Sequence, residues 1–257
     1  MDKVQPKKHL GQHFLRDESI AQKIVESLSE NSHNILEIGP GMGVLTKYLI
    51  QKYPNSLKVI EIDTESVSYL QENYPQLQII AGDFLKMDIP SIFNESFSII
   101  GNFPYNISSQ ILFRIYEHHE KIPEAVGMFQ KEVAERIAAK PGNKTYGILS
   151  VLLGLFYDIE YLFTVHEHVF QPPPKVKSAV IRLNYNNRAD SELNIDLFTK
   201  VVKAGFNQRR KTLRNALSLY KNSFENIFPE YLSKRAEQLS VEEFIELTKS
   251  IQKSEKK

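Results

Sequence analysis

The segment Gly101-Asn102-Phe103-Pro104-Tyr105-Asn106 closes an apolar run and brings three useful groups together. Asn102 offers a side-chain oxygen, Pro104 a backbone carbonyl and Tyr105 a ring face. An exocyclic amine on adenine or cytosine is a poor nucleophile, because its lone pair is delocalised into the ring. It needs acceptors for its hydrogens more than it needs a strong base. The Asn102 oxygen and the Pro104 carbonyl could take both hydrogens and turn the lone pair out of the ring plane, while a base taken out of its stack rests on Tyr105. Alone, the segment is equally an ordinary proline turn over a buried tyrosine.

Three upstream segments change that balance. Ile35-Leu36-Glu37-Ile38-Gly39-Pro40-Gly41-Met42-Gly43 reads as a strand, a glycine turn and a helix start. The spacing is G-x-G-x-G with Val44 following, so it departs from the dinucleotide fingerprint. Glu37, at the mouth of the turn, would repel a pyrophosphate and suits a cationic ligand. Glycines such as Gly39 and Gly41 let a backbone approach that ligand closely. Glu61 ends the next apolar run, where an acid accepts from both hydroxyls of a ribose. Gly82-Asp83-Phe84 follows a third run and offers a carboxylate for an adenine amino group, with an aromatic to pack on the ring. Each signal is common singly. In this order they describe an adenosine with an unphosphorylated, cationic 5′ arm, which S-adenosylmethionine matches.

Other chemistry is thinly represented. The 257 residues contain no cysteine, which removes disulfides, thiolate metal sites and thiol nucleophiles. His118-His119-Glu120 and His166-Glu167-His168 read as solvated surface residues, and no metal is expected. Phe156 and Tyr157 read as core or interface. The net charge of +1 conceals two basic stretches. Lys3, Lys7, Lys8 and Arg16 outweigh Asp2 to give +3 over residues 1–16, and Lys203, Arg209, Arg210, Lys211 and Arg214 give +5 over 203–214 with no acid, leaving −7 on the remainder. Such patches suit a polyanion, or are simply two solvated surface runs.

These groups need a scaffold that sets them along one edge. Strands are expected at 34–38, 57–62, 77–81, 97–102, 125–130, 159–165 and 178–184, with helices at 44–52, 64–73, 109–118 and 131–139. Near-continuous apolar strands alternating with amphipathic helices imply a mainly parallel sheet covered on both faces. Pro172, Pro173 and Pro174 form a stiff extended connector and forbid a helix between the last two strands, so the sheet is expected to be mixed at that edge. Asp17 can cap a helix running to about Leu28. Residues 184–192 read as a linker, and beyond them helices are expected at 196–205, 211–219, 231–239 and 241–251. No apolar run is long enough for a membrane-spanning helix, and the N-terminus lacks an apolar signal core, so a cytoplasmic address is expected.

Asn102-Phe103-Pro104-Tyr105 resembles the N-[LIF]-P-Y motif of adenine-N6 methyltransferases. Together with residues 8–15 (KHLGQHFL), 37–43, 130–134 (QKEVA) and 170–176 (FQPPPKV), the chain resembles the ribosomal RNA adenine dimethyltransferases over nearly its whole length. Residues 206–217 (FNQRRKTLRNAL) resemble the C-terminal domain of the small-subunit (16S) members. The resemblance implies a Rossmann-like methyltransferase domain over 1–185, with a mixed, mostly parallel seven-stranded sheet, and a small all-α RNA-binding domain over 186–257. It implies S-adenosylmethionine as cofactor, held by His13, Leu15, Gly39, Glu61, Asp83 and Asn102, with Glu37 and Gly41 in the turn. Asn102, Phe103, Pro104 and Tyr105 become the target-base loop, with Phe170 as a second aromatic wall. Lys7, Lys8, Arg209, Arg210, Lys211 and Arg214 become RNA contacts. The implied reaction is N6-dimethylation of two adjacent adenosines in the 3′-terminal hairpin of 16S rRNA, by a monomer acting in ribosome biogenesis. The chain departs from the family at His13, which is usually Asn, at Lys177, often Asp, and mildly at Phe103. Two alternatives are a large-subunit dimethyltransferase conferring macrolide resistance and a non-catalytic RNA-binding assembly factor.

Overall fold

Strand β2 (Ile35–Ile38) is buried at every position. β5 (Ser98–Asn102) and β6 (Glu124–Gln130) are buried along all but their last residue. β-branched and apolar side chains on both faces of a strand require cover on both sides, and that pattern belongs to a sheet flanked by helices. The computed structural model describes residues 4–255. Asp2 and Lys3 of the N-terminal charge cluster lie outside them.

The central sheet has seven strands in the order β4 (Gln78–Ala81), β3 (Leu57–Glu61), β2, β5, β6, β9 (Ser178–Tyr185), β7 (Tyr157–Val165). The pairs from β4 to β6 are parallel, and β9 runs antiparallel to β6. The mixed edge expected from the prolines is therefore present. Parallel register sets the carboxyl ends of five strands side by side, with Ile38 opposite Ile60, Glu61 opposite Ala81 and Asn102 opposite Met128. Ligands of open α/β sheets bind along such an edge. A separate ribbon pairs β1 (Phe14–Leu15) with β8 (Phe170–Gln171), Leu15 facing Phe170. Two-residue strands have no period to detect, and neither was expected.

α1 (Glu18–Glu26) is capped as anticipated, with Asp17 Oδ1 accepting from Ile20 N at 3.1 Å. α2 (Thr46–Lys52) begins two residues later than its apolar pattern suggests, because residues 41–45 form turns. α3 (Thr64–Asn73), α4 (Ser108–Glu117) and α5 (Lys131–Ile137) fall within a residue or two of expectation. The cluster around Ile24, Ile35, Leu49, Ile100, Val126 and Val180 forms the core between helices and sheet.

Contacts divide the chain into two units: residues up to Ala134 with Ile159–Tyr185, and Glu135–Asp158 with Asn186 onward. The expected boundary after residue 185 is one of these, but residues 135–158 also cluster with the helical unit. Within that unit, α6 (Ile148–Phe156) is a nearly continuous apolar run, which periodicity alone cannot distinguish from a buried strand. α7 (Ile195–Asn207) and α10 (Val241–Glu255) are longer than expected. The helix expected at 211–219 shrinks to α8 (Leu213–Ala216), and that at 231–239 to α9 (Pro229–Ser233) followed by a 3₁₀ turn. Tyr146 meets Phe206 edge-on and Phe206 stacks on Phe244, with ring centroids 6.1 and 6.0 Å apart. Among the described residues, no helix is long and apolar enough to cross a membrane.

Candidate active site

The carboxyl edge of the sheet opens into a cavity of about 160 Å³. Its walls bring together His13, Gly39, Gly41, Glu61, Asp83 and the whole Asn102–Tyr105 segment. Gly39 and Gly41 adopt φ of 66° and 58°, the left-handed region where a side chain is strained. A Cβ on Gly41 would also stand 2.8 Å from the Phe14 ring, so the turn admits no larger residue while Phe14 roofs it.

Glu61 is buried, and its two oxygens accept Gly41 N at 3.0 Å and Asp63 N at 2.9 Å. Burial raises its pKa, and those two N–H groups oppose the rise. A carboxylate oxygen accepts more than one hydrogen bond, so each retains capacity for a ribose hydroxyl. Asp83 Oδ1 accepts Leu85 N at 3.0 Å, capping a short 3₁₀ turn. Phe84 lines the cavity beside it, although its side chain is largely buried and offers only a small part of an aromatic face. The exposed apolar wall is Ile62, 51% accessible although it follows a central strand. Wedged between Glu61 and Asp63, Ile62 reads as an ordinary strand end. It sets an apolar surface beside the Glu61 and Asp83 carboxylates.

Asn102 Nδ2 donates to the His13 carbonyl at 2.9 Å, which leaves Oδ1 as the acceptor available to a substrate. Pro104 O already receives Ile107 N at 3.2 Å and keeps one lone pair. The Tyr105 hydroxyl pairs with Ser178 Oγ at 2.6 Å, and burial raises its pKa against that bond. Phe103 is not a base contact. Its ring is buried edge-on to Phe129, with centroids 5.1 Å apart, and presses on Gly127, where a Cβ would come within 2.3 Å. It wedges the loop from beneath. Phe170 is likewise buried in the core and does not line the cavity, so the aromatic wall expected there is absent.

Glu37 and Leu15 line a neighbouring cavity of about 440 Å³ that shares Phe14, Gly39 and Asn102 with the first. The Glu37 side chain turns inward to accept Thr46 Oγ1 at 2.6 Å. Burial raises its pKa to about 8, opposed by the Thr46 bond and aided by the Glu61 charge. Burial thus favours the neutral carboxyl, whereas a cationic ligand beside it would favour the anion.

Residues 7–15 form a strap across this site. Lys7 pairs with Asp63 and, at 3.1 Å, with Glu65, while Gln12 Nε2 donates to Asp63 at 3.3 Å. Burial pushes the Asp63 carboxyl up, but the bonds from Lys7, Gln12 and Ser66 outweigh it and hold the pKa below the usual range. Lys7 is thus engaged in two ion pairs while its side chain stays partly exposed, and Lys8 is exposed. The basic stretch of the helical unit divides in the same way. Arg209 pairs with Glu237 at 2.7 Å and donates to Tyr146 O at 3.0 Å, whereas Arg210, Lys211 and Arg214 are exposed. The histidine pairs gather no metal set, and among the described residues no group of three or more His, Asp or Glu is placed to hold an ion. His118 and His119 are half-buried rather than solvated, and burial lowers the pKa of both.

The fold defines a Rossmann-like methyltransferase that uses S-adenosylmethionine, with a glycine turn after β2, acids ending β3 and following β4, and an amide ending β5 in the walls of one cavity. The sequence pattern of the ribosomal RNA adenine dimethylases matches residues 3–253, and the chain belongs to that family. It is 60% identical to the ribosomal RNA small subunit methyltransferase A of Cytophaga hutchinsonii, over 96% of this chain and 98% of that one. It is 59% identical to the protein of the same name from Flavobacterium johnsoniae, over 98% of each. The crystal structure of a dimethyladenosine transferase from Plasmodium falciparum superposes with a TM-score of 0.80 at 28% identity, over 95% of this chain and 98% of that one.

Proposed function

We propose that this adenine dimethyltransferase modifies N6 of two adjacent adenosines in the 3′-terminal hairpin of 16S rRNA, within the small ribosomal subunit or its precursor. It works in the cytoplasm as a monomer, in ribosome biogenesis. The observation that carries the chemistry is the Asn102 amide, fixed by its bond to the His13 carbonyl so that Oδ1 remains for the substrate. When bound, S-adenosylmethionine supplies a methyl group activated by a sulfonium. The protein's part is orientation. Asn102 Oδ1 and the spare lone pair on Pro104 O take the amine hydrogens, and Tyr105, tethered through Ser178, stacks the base. Holding the nitrogen in line with the methyl at ~3–3.5 Å is the main contribution such a site makes. Pairing of the curated small-subunit enzymes with this chain at 60% and 59% identity supports the choice of subunit.

Small and large subunits lacking the modification, incubated with labelled methyl donor and mapped for dimethyladenosine, test this directly. Label confined to the small subunit is expected. Label in the large subunit favours the macrolide-resistance type of enzyme, and binding without label favours an assembly factor. Single-turnover rates should fall in the order wild type, Tyr105→Phe, Tyr105→Ala, Asn102→Ala. Loss of the ring removes ~1–3 kcal/mol of stacking, and loss of the amide lowers the rate by about 100-fold or more. An Asn102→Ala enzyme as fast as wild type would place the chemistry elsewhere.

A further inference from the structure

His13 touches the base site three times. Its carbonyl holds Asn102 Nδ2, its Nδ1 lies 2.8 Å from Pro172 O, and its ring stacks on Tyr105 with centroids 5.3 Å apart and planes at 29°. A base inserted between two flat rings needs a separation of roughly 7 Å, two layers of ~3.5 Å. The imidazole and a target adenine therefore cannot share this face of Tyr105. Nor is Tyr105 free to yield, because its hydroxyl is tied to Ser178, which is buried at the start of β9. His13 is the movable partner. Its side chain is partly exposed, and it follows Gly11, whose φ of 65° marks a bend in the strap.

We propose that the His13 imidazole is a stand-in for the target base, covering the stacking face of Tyr105 in the RNA-free enzyme and leaving it when the flipped adenine arrives. The inference rests on the base site proposed above. Only the side chain needs to rotate. The backbone carbonyl stays on Asn102, so the amide that receives the substrate amine keeps its orientation through the exchange. The exchange gives up an imidazole stack and the Nδ1–Pro172 bond for a larger purine stack plus the hydrogen bonds of the amine. A loose flat ring has to make that replacement with its own stacking energy alone, whereas a base delivered by anchored RNA has further contacts behind it. His13 thereby sets a threshold for entry and acts as a specificity-determining residue.

Three variants separate the ring from the hydrogen bond. His13→Ala removes both, His13→Asn removes the ring but keeps a donor for Pro172 O, and His13→Phe keeps a ring without the donor. KM for unmethylated small subunits is measured at saturating S-adenosylmethionine, alongside cofactor affinity by calorimetry. Removing a competing aromatic stack should lower KM about threefold to tenfold in His13→Ala and His13→Asn, while His13→Phe raises it. The idea fails if KM rises in the Ala and Asn variants while Phe matches wild type, since the ring is then a permanent wall for the base. It fails equally if KM is unchanged in all three, or if His13→Ala weakens cofactor binding tenfold, which would make His13 a cofactor contact. Asn102→Ala, assayed in parallel, keeps the two proposals distinct. Full activity there means that the base site is misplaced, whatever His13 does.

Discussion

Two buried glutamates 24 residues apart in sequence do different work at one turn. Glu61 is held by two backbone N–H groups and faces the cavity, so its charge is available to hydroxyls. Hydrogen bonds to a charged acceptor contribute ~1.5–3 kcal/mol each. Glu61→Ala should therefore weaken S-adenosylmethionine binding at least about tenfold in calorimetry, with the fold intact by circular dichroism. Unchanged affinity would remove the ribose assignment. Glu37 has no such donors beyond Thr46, and its carboxyl titrates at about 8 against an ordinary 4.5. Between those values the folded protein keeps a proton that the unfolded chain has released. The stability contributed by this group is complete below pH 4.5 and is lost as pH rises toward about 8. One proton corresponds to a fall of up to ~1.4 kcal/mol per pH unit in that window. Glu37→Gln, which carries no ionisable proton, should flatten the slope in urea denaturation. The same slope in both proteins would show that Glu37 ionises normally.

At the scale of elements, the strap of residues 7–15 walls part of the cavity at the sheet edge, and Asp63 is its anchor. That carboxylate also accepts Glu65 N and Ser66 Oγ at the start of α3, so the helix and the strap share one fixed point. Lys7→Met leaves the helix cap in place and removes only the strap's ionic tie. Cofactor affinity should fall by about twofold to fivefold, as suits a partly exposed ion pair, while the salt dependence of RNA binding stays as it was. A flatter salt slope with unchanged cofactor affinity would return Lys7 to the RNA. The residues that form the strap illustrate what sequence can reveal. The strands of the central sheet are legible because each is an apolar run bounded by turn-forming residues, and Asn102, Glu61 and Asp83 are legible because polar residues at the ends of such runs stand out. Phe14, Phe103 and Phe170 are not, because an aromatic residue gives no sign of which side of a loop it faces. Phe14 roofs Gly41 and the other two are core. Lys7 and Arg209 look like surface charge for the same reason, since their partners Asp63 and Glu237 lie 56 and 28 residues away.

For the whole molecule, the question is which charges remain to meet a polyanion once internal pairs are subtracted. In the helical unit Arg209 is used up by Glu237 and backbone carbonyls, and the stretch around it is a turn rather than the expected helix. Thr212 sits at the cap of α8, and Arg210 and Lys211 occupy the turn before it. Arg214 reaches over the Phe224 ring at 5.8 Å with its guanidinium exposed. Free exposed cations release phosphate counterions on binding, whereas one already paired with a carboxylate and backbone carbonyls releases fewer, so the two kinds of arginine give different signatures. Replacing Arg210, Lys211 and Arg214 together by Gln should flatten the log–log salt dependence of small-subunit binding by roughly 2–3, at ~0.7–0.9 per contact, with cofactor affinity and melting temperature unchanged. Arg209→Gln should leave the slope intact and cost on the order of 1 kcal/mol of stability, the loss expected for a partly exposed ion pair with extra backbone bonds. Melting curves and binding isotherms at several salt concentrations check both variants. If the triple variant keeps the full slope, this surface does not meet RNA and the polyanion contact lies on other residues. If Arg209→Gln flattens the slope without loss of stability, the Glu237 pair opens when RNA binds.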